Sequence, residues 1–183
     1  LFTVEKVHSS PARFDMKKLE AINGDKIRAL TIDEFLDWSL PFLTKAGVVS
    51  GSADEIALVK LALPLIQERI IMLSEVPAML KFLFVKNFEV EADSLAKITD
   101  DASKQVLERS LKELEPLATW THESIEAALR SSLIEEMGLK PRIAFGAVRI
   151  ATTGSTISPP LFESMELLGK EASLARIRAG LEL

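Results

Sequence analysis

The chain has 183 residues, with 22 Lys+Arg against 27 Asp+Glu, a formal charge of −5 and a pI near 5.2. Hydrophobic residues at 48% and charged residues at 27% describe a globular chain and exclude disorder and collagen-like repeats. Cysteine is absent, which removes disulfides, thiolate zinc sites and cysteine nucleophiles, and the net negative charge speaks against a generic nucleic-acid binder, whose usual footprint is basic.

The N-terminus, Leu1-Phe2-Thr3-Val4-Glu5, has neither the charged n-region nor the apolar h-region of a signal peptide and lacks an initiator Met. A piece of a longer polypeptide is expected. The longest apolar run, Ile56 to Ile66, is broken by Lys60 and falls short of the roughly 18 residues a spanning helix needs. Thr31-Ile32-Asp33-Glu34 reads as a capping box opening a helix that turns Phe35, Trp38 and Phe42 inward and ends at Gly47, with Pro41 expected to split it. Ser52-Ala53-Asp54-Glu55 opens a second, with Ile56, Val59, Leu63, Ile66, Ile70 and Leu73 on one face and a kink or break at Pro64. Ser74-Glu75-Val76-Pro77 starts a short helix through Leu80 and Phe84, after which the pattern loosens from Phe88 to Ile98.

Asp100 or Asp101 then caps a helix to Leu114, and Thr121 caps another that places Ile125, Leu129, Leu133 and Met137 on one face and ends at Gly138. A segment from Pro141 to Ile150 leads into a turn-rich stretch, Thr152 to Pro160. Two last helices, Leu161 to Leu168 and Ala172 to Ala179, flank Gly169. No stretch alternates in the manner of a strand. The predicted fold is all-α: short helices in orthogonal bundles, without a sheet. A lapse in periodicity near Asn87 to Thr99, or near Pro116, marks a candidate boundary.

Residues suited to catalysis are sparse. His8 and His122 stand far apart and neither has a ligand-spaced partner. Metalloprotease, hydrolase, P-loop and dinucleotide motifs are all missing. Charge is informative in its distribution. From Lys86 to Glu126 there are five bases and ten acids, a local −5 equal to the charge of the whole chain. From Met137 to Phe162 there is no acid, while Lys140, Arg142 and Arg149 give +3, and Pro11 to Leu30 holds five bases against three acids. In the acid-free stretch Ser158-Pro159-Pro160-Leu161 reads as an N-cap with Pro in the first helical turn. Its backbone donors, Arg149 and Leu161 would suit a splayed-out base; the ordinary reading is a rigid turn between packed helices.

Pro11-Ala12-Arg13-Phe14-Asp15-Met16-Lys17-Lys18-Leu19-Glu20-Ala21-Ile22-Asn23 with Ile27-Arg28 resembles the segment that follows the catalytic domain in bacterial glutamyl-tRNA synthetases. Gly138-Leu139-Lys140-Pro141-Arg142, Val148-Arg149-Ile150-Ala151, Thr153-Gly154, Ser158-Pro159-Pro160-Leu161-Phe162-Glu163 and Leu167-Leu168-Gly169-Lys170-Glu171 are similar to the far C-terminal part of that family, in the same order. The resemblance implies the non-catalytic part of a class I synthetase: a stem-contact region over 1–50 and two helical anticodon-binding subdomains over 51–118 and 119–183. It implies tRNA(Glu) as partner, no cofactor in this chain, and ATP and Mg in the parent catalytic domain. A monomer in the cytoplasm is expected, with no membrane or DNA partner.

By the same resemblance Arg149 and Leu161 hold the first anticodon base and Ser158 and Pro159 meet the middle one, Ser158 replacing a Thr common there. Arg69 is the candidate reader of the third base. Lys17, Lys18, Arg28, Lys140 and Arg142 are candidate tRNA-backbone contacts, which position RNA without reading it. Two other readings stay open: a helical protein–protein adaptor, favoured by the acidic middle, and a stand-alone enzyme, for which no constellation of residues speaks.

Overall fold

The structure, a computed structural model, describes residues 15–85 and 88–183. Pro11 to Phe14 of the resemblance, His8, Lys86 and Asn87 lie outside the described residues. Ten α-helices and no strand occur among the described residues: α1 Met16–Arg28, α2 Ile32–Lys45, α3 Ala53–Gln67, α4 Val76–Leu80, α5 Ala92–Leu95, α6 Asp101–Leu114, α7 His122–Leu129, α8 Pro141–Thr153, α9 Leu161–Leu168 and α10 Lys170–Leu181. Turns of 3-10 helix, Leu73–Glu75 and Lys81–Leu83, flank α4, and a π-helical segment, Arg130–Glu136, continues α7.

The helix starts follow local chemistry. Thr31 and Ser52 form reciprocal capping boxes with Glu34 and Glu55, and Asp15, Asp100 and Thr121 cap α1, α6 and α7 through their side chains. Glu55 Oε2 accepts from Ser50 N (2.9 Å), Ser50 Oγ (2.7 Å), Gly51 N (3.0 Å) and Ser52 N (3.1 Å). These bonds, led by the Ser50 hydroxyl, lower its pKa from 4.5 to about 2. A depressed carboxylate contributes stability that is present in full above its ordinary value and is lost as pH falls through the folded value. Thermal unfolding followed by circular dichroism from pH 5 to pH 2 should therefore show a shallower loss in Glu55→Gln than in the parent chain. Coincident slopes would refute this role for Glu55.

Interior prolines leave α2 and α3 continuous. Pro41 lies inside α2, which runs unbroken to Lys45, and α3 passes through Pro64 to end one turn later at Gln67. The missing hydrogen bonds are outweighed by packing, since Leu43, Leu63 and Ile66 beside them are fully buried. The helix expected to reach Leu73 stops short, and Ile70 is buried from outside it. A second correction concerns α2. Phe35 points inward with Leu36, Ser39 and Leu43, but Trp38 is 61% exposed and Phe42 is also exposed. Steps of three and four from residue 35 admit 39 and 43 as readily as 38 and 42, and packing against α3 and α4 selects the former. The fourth residue of the α7 face, Met137, is also exposed. Steps of four drift by about 40° each around an α-helix. Leu133 stays buried within the π-helical segment Arg130–Glu136, and the third step, to Met137 just past it, leaves the core.

Buried side chains gather in two clusters. The first, from Ile27 to Leu80, joins α1 to α4; the second, from Ile98 to Ile177, joins α6 to α10. The divisions at 50/51 and 118/119 therefore each run through a cluster. Gln67 at the end of α3 donates to the carbonyls of Ile27 (3.0 Å) and Leu30 (2.8 Å), tying α3 to the backbone where α1 ends. Leu167 of α9 packs onto the first cluster, where α3 meets α9. The second cluster is closed by α10: Lys170 Nζ donates to the Glu115 (2.8 Å) and Leu117 (2.7 Å) carbonyls, Arg178 pairs with Glu115 (2.6 Å), and a Cβ on Gly180 would stand 3.2–3.3 Å from Leu107, Ala151 and Ile98.

Candidate anticodon interface

The acid-free stretch folds as α8, a turn over 154–160, and the start of α9. Pro141 in the first turn favours the helix because its missing N–H would be unpaired there. Gly154, at φ 81°, ends it. The Phe145 and Phe162 rings meet edge to face at 5.2 Å, pinning α9 to α8.

Arg149 organises the turn. Its Nη1 donates to Ser158 Oγ (2.6 Å) and to the Pro159 carbonyl (2.9 Å), and the Ser158 hydroxyl donates to the same carbonyl (2.9 Å). Pro160, not Ser158, is the N-cap of α9, because the Ser158 side chain is engaged by Arg149. Burial pushes the Arg149 guanidinium below its usual range; the positive charge of Arg69 lowers it further and Glu163 opposes both. Arg69, exposed just beyond α3, thus stands within electrostatic reach of Arg149 although 80 residues separate them in the chain.

Arg149, Ser158, Pro159, Leu161 and Arg69 are therefore brought to one region, where the first cluster meets α9. Leu161 is 3% exposed, its side chain set in the second cluster, so it presents no open face in this structure; Ile157, at 75%, is the apolar side chain exposed on the turn. Lys140 and Arg142 are exposed at the opposite end of α8, about 10 Å along its axis. Lys17, Lys18 and Arg28 lie on α1, which joins the first cluster through Ile27; both lysines are exposed, and Arg28 is ion-paired to Asp25 at 2.6 Å.

Two basic residues join this region without having been singled out from sequence. Lys97, after α5, lines a groove of about 970 Å³ with Arg142, Arg149, Ile143 and Phe145 along α8, against a single acid, Asp100. Three cations over one acid, with apolar walls, suit a polyanion that carries flat rings. Arg176 of α10 reaches the last turn of α8. Lys97 sits in a locally acidic segment and Arg176 in a final helix flanked by core positions, so linear charge counts point to neither. His122 is hydrogen-bonded through Nδ1 to Glu166 Oε2 at 2.8 Å, a contact that raises its pKa and ties α7 to α9. Among the described residues no group of three or more His, Asp or Glu is placed to hold a metal ion.

The family model described as "Anticodon binding domain" matches residues 20–181. The chain belongs to that family. Curated relatives of this anticodon-binding domain include proteins named glutamate–tRNA ligase from Saccharopolyspora erythraea, 47% identical over 98% of this chain and 36% of that protein, and from a Nocardioides species, 47% identical over 98% and 38%. The chain thus spans little more than a third of their length. A solved structure of a glutamate tRNA ligase from Elizabethkingia meningosepticum shares the fold, with a TM-score of 0.76 at 21% identity over 99% of this chain and 35% of that one. The helical architecture expected from the sequence is that of the domain, and tRNA recognition is the activity its family description carries.

Proposed function

We propose that this chain is the tRNA-recognising portion of a glutamate–tRNA ligase and that its partner is tRNA(Glu). Arg149 and the Ser158–Pro159 turn meet the first two anticodon bases, with Leu161 anchoring the start of α9 beneath them, and Arg69 meets the third. Lys17, Lys18, Arg28, Lys140 and Arg142 contact phosphates. ATP and magnesium belong with the part of the longer protein that this chain does not cover, where glutamate would be joined to the tRNA. The domain works as a monomer in the cytoplasm, on neither membrane nor DNA; no described helix is long and apolar enough to cross a membrane.

The observation that carries this reading is the convergence of Arg149, already gripping the Ser158–Pro159 turn, with Arg69 from the other cluster. With the positive charge of Arg69 disfavouring that of Arg149, a polyanion or electron-rich base edges set between the two guanidiniums would be favoured. Arg149→Ala should weaken binding of tRNA(Glu) by about 1–3 kcal/mol and blunt discrimination against an anticodon-substituted tRNA. Fluorescence anisotropy with both RNAs at low and moderate salt measures this. Unchanged affinity and discrimination would sink the base contact. The adaptor reading predicts no salt-dependent RNA binding, so a linear fall of log affinity with log salt opposes it.

A further inference from the structure

The recognition turn is held from behind by a residue that touches none of the proposed contacts. Arg176 Nη1 donates to the Thr152 carbonyl at 2.7 Å, its Nη2 donates to the Phe82 carbonyl at 2.8 Å, and its guanidinium lies 4.0 Å from the centre of the Phe88 ring. These partners belong to three parts of the fold. Phe82 sits in the 3-10 turn after α4, Phe88 in the stretch joining the two clusters, and Thr152 in the last turn of α8.

Carbonyls at a helix end lack an intrahelical donor and lie at the negative end of the helix dipole, so a cation there is favourable. A guanidinium is a planar fork that can serve two carbonyls at once and stack on a ring; an ammonium cannot hold that geometry. The same joint has a second fastening, in which Glu91 N donates to the Gly154 carbonyl at 2.8 Å and Lys81 pairs with Glu91 at 2.8 Å. From Thr152 the path to the recognition residue is one helical turn: the Thr152 and Thr153 hydroxyls both donate to the Arg149 carbonyl, at 3.3 and 2.8 Å. Phe82 lies between Leu80 and Leu83, both part of or packed on the first cluster, whose α3 is followed by Arg69.

We propose that Arg176 is a positioning residue for anticodon recognition, which by tying the Phe82 carbonyl to the Thr152 carbonyl fixes where Arg149 and the Ser158–Pro159 turn stand relative to Arg69. This rests on the reading of those residues as anticodon contacts. Both Nη groups are engaged within the protein, so Arg176 contributes geometry and no phosphate contact.

The test is a set of dissociation constants for the full chain with tRNA(Glu) and with singly anticodon-substituted tRNA(Glu), over a salt series. The variants are Arg149→Ala, Arg176→Ala, Arg176→Lys and the Arg149→Ala/Arg176→Ala pair. The ratio between the two RNAs should fall roughly fivefold to tenfold in either Arg176 variant. The salt slope should stay that of the parent chain, and the double variant should discriminate no worse than Arg149→Ala alone. A merely structural arginine would lower the melting temperature and the active fraction but leave the ratio among folded molecules intact. Should Arg176→Ala fail to fold, Arg176→Lys and Phe88→Leu carry the test, since both keep the fold's charge or volume while loosening the fork. The proposal is overturned by a retained ratio in the Arg176 variants where Arg149→Ala collapses it, or by a salt slope reduced by about one, which would mark a direct phosphate contact. A ratio that survives Arg149→Ala overturns the reading of the site itself, and the positioning role with it.

Discussion

Phe35→Ala is expected to cost about 3–5 kcal/mol of folding stability, whereas Trp38→Ala, three residues along the same helix, should change it by less than about 0.5 kcal/mol. Phe35 is fully buried in the first cluster, among α2, α3 and α4, so its removal forfeits the transfer of a whole ring from water and leaves a void that the continuous, proline-bearing helices around it are poorly able to fill. Trp38 is 61% exposed and most of its surface is in water before and after folding. Urea denaturation of the two variants decides the matter. Equal losses would mean that α2 faces the core with the stripe 35, 38 and 42, which sequence spacing admits equally with 35, 39 and 43.

Gly154→Ala is expected to cost about 2–4 kcal/mol and to weaken recognition along with stability. Part of the cost, about 1–2 kcal/mol, is the penalty any L side chain meets at a left-handed φ; Gly154 has φ 81°. The remainder is steric. An added Cβ would lie 2.9 Å from the Glu89 carbonyl oxygen and 3.3 Å from the Phe88 ring, and neither can swing aside freely, because Glu91 N is bonded to Gly154 itself and Phe88 is stacked under Arg176. Gly138 is the control: it has φ 68° with nothing within 4 Å of its added Cβ, so Gly138→Ala should show the backbone penalty alone. Chemical denaturation of both, read beside tRNA affinity, separates the two parts. Equal losses at the two glycines would show that the joint between the clusters is not tight.

Much of the fold was legible because it is decided locally. Thr31, Ser52, Asp100 and Thr121 start helices by bonding to backbone only three residues away, and Gly138 and Gly169 mark ends by a φ that other residues avoid. What failed was decided at long range. Whether Phe42 or Leu43 faces inward depends on α3 and α4; whether Pro41 breaks its helix depends on the apolar contacts around it. In the candidate site, the resemblance and the acid-free stretch led to Arg149, Ser158 and Pro159, and the structure binds these to one another. That Leu161 lies in the core, and that Arg69 stands near Arg149, needed the packing of α3 against α9. Arg176 left no trace in the pattern at all, since its partners are carbonyls 24 and 94 residues away, and a carbonyl is the same on every residue.

The clasp of α10 has a consequence for the order in which the molecule is made. Everything the first cluster needs from its own helices has left the ribosome once Phe84 is out, so it can close early. The second cannot: Lys170, Arg176, Arg178 and Gly180 all arrive after α6 and α8, whose ends and grooves they fill. Until then the last turn of α8 lacks its Arg176 donor, and the second cluster is open on the side that α10 covers. A nascent chain therefore carries a closed first cluster beside an unassembled reader, and the reader gains the shape for its RNA only once α10 has emerged.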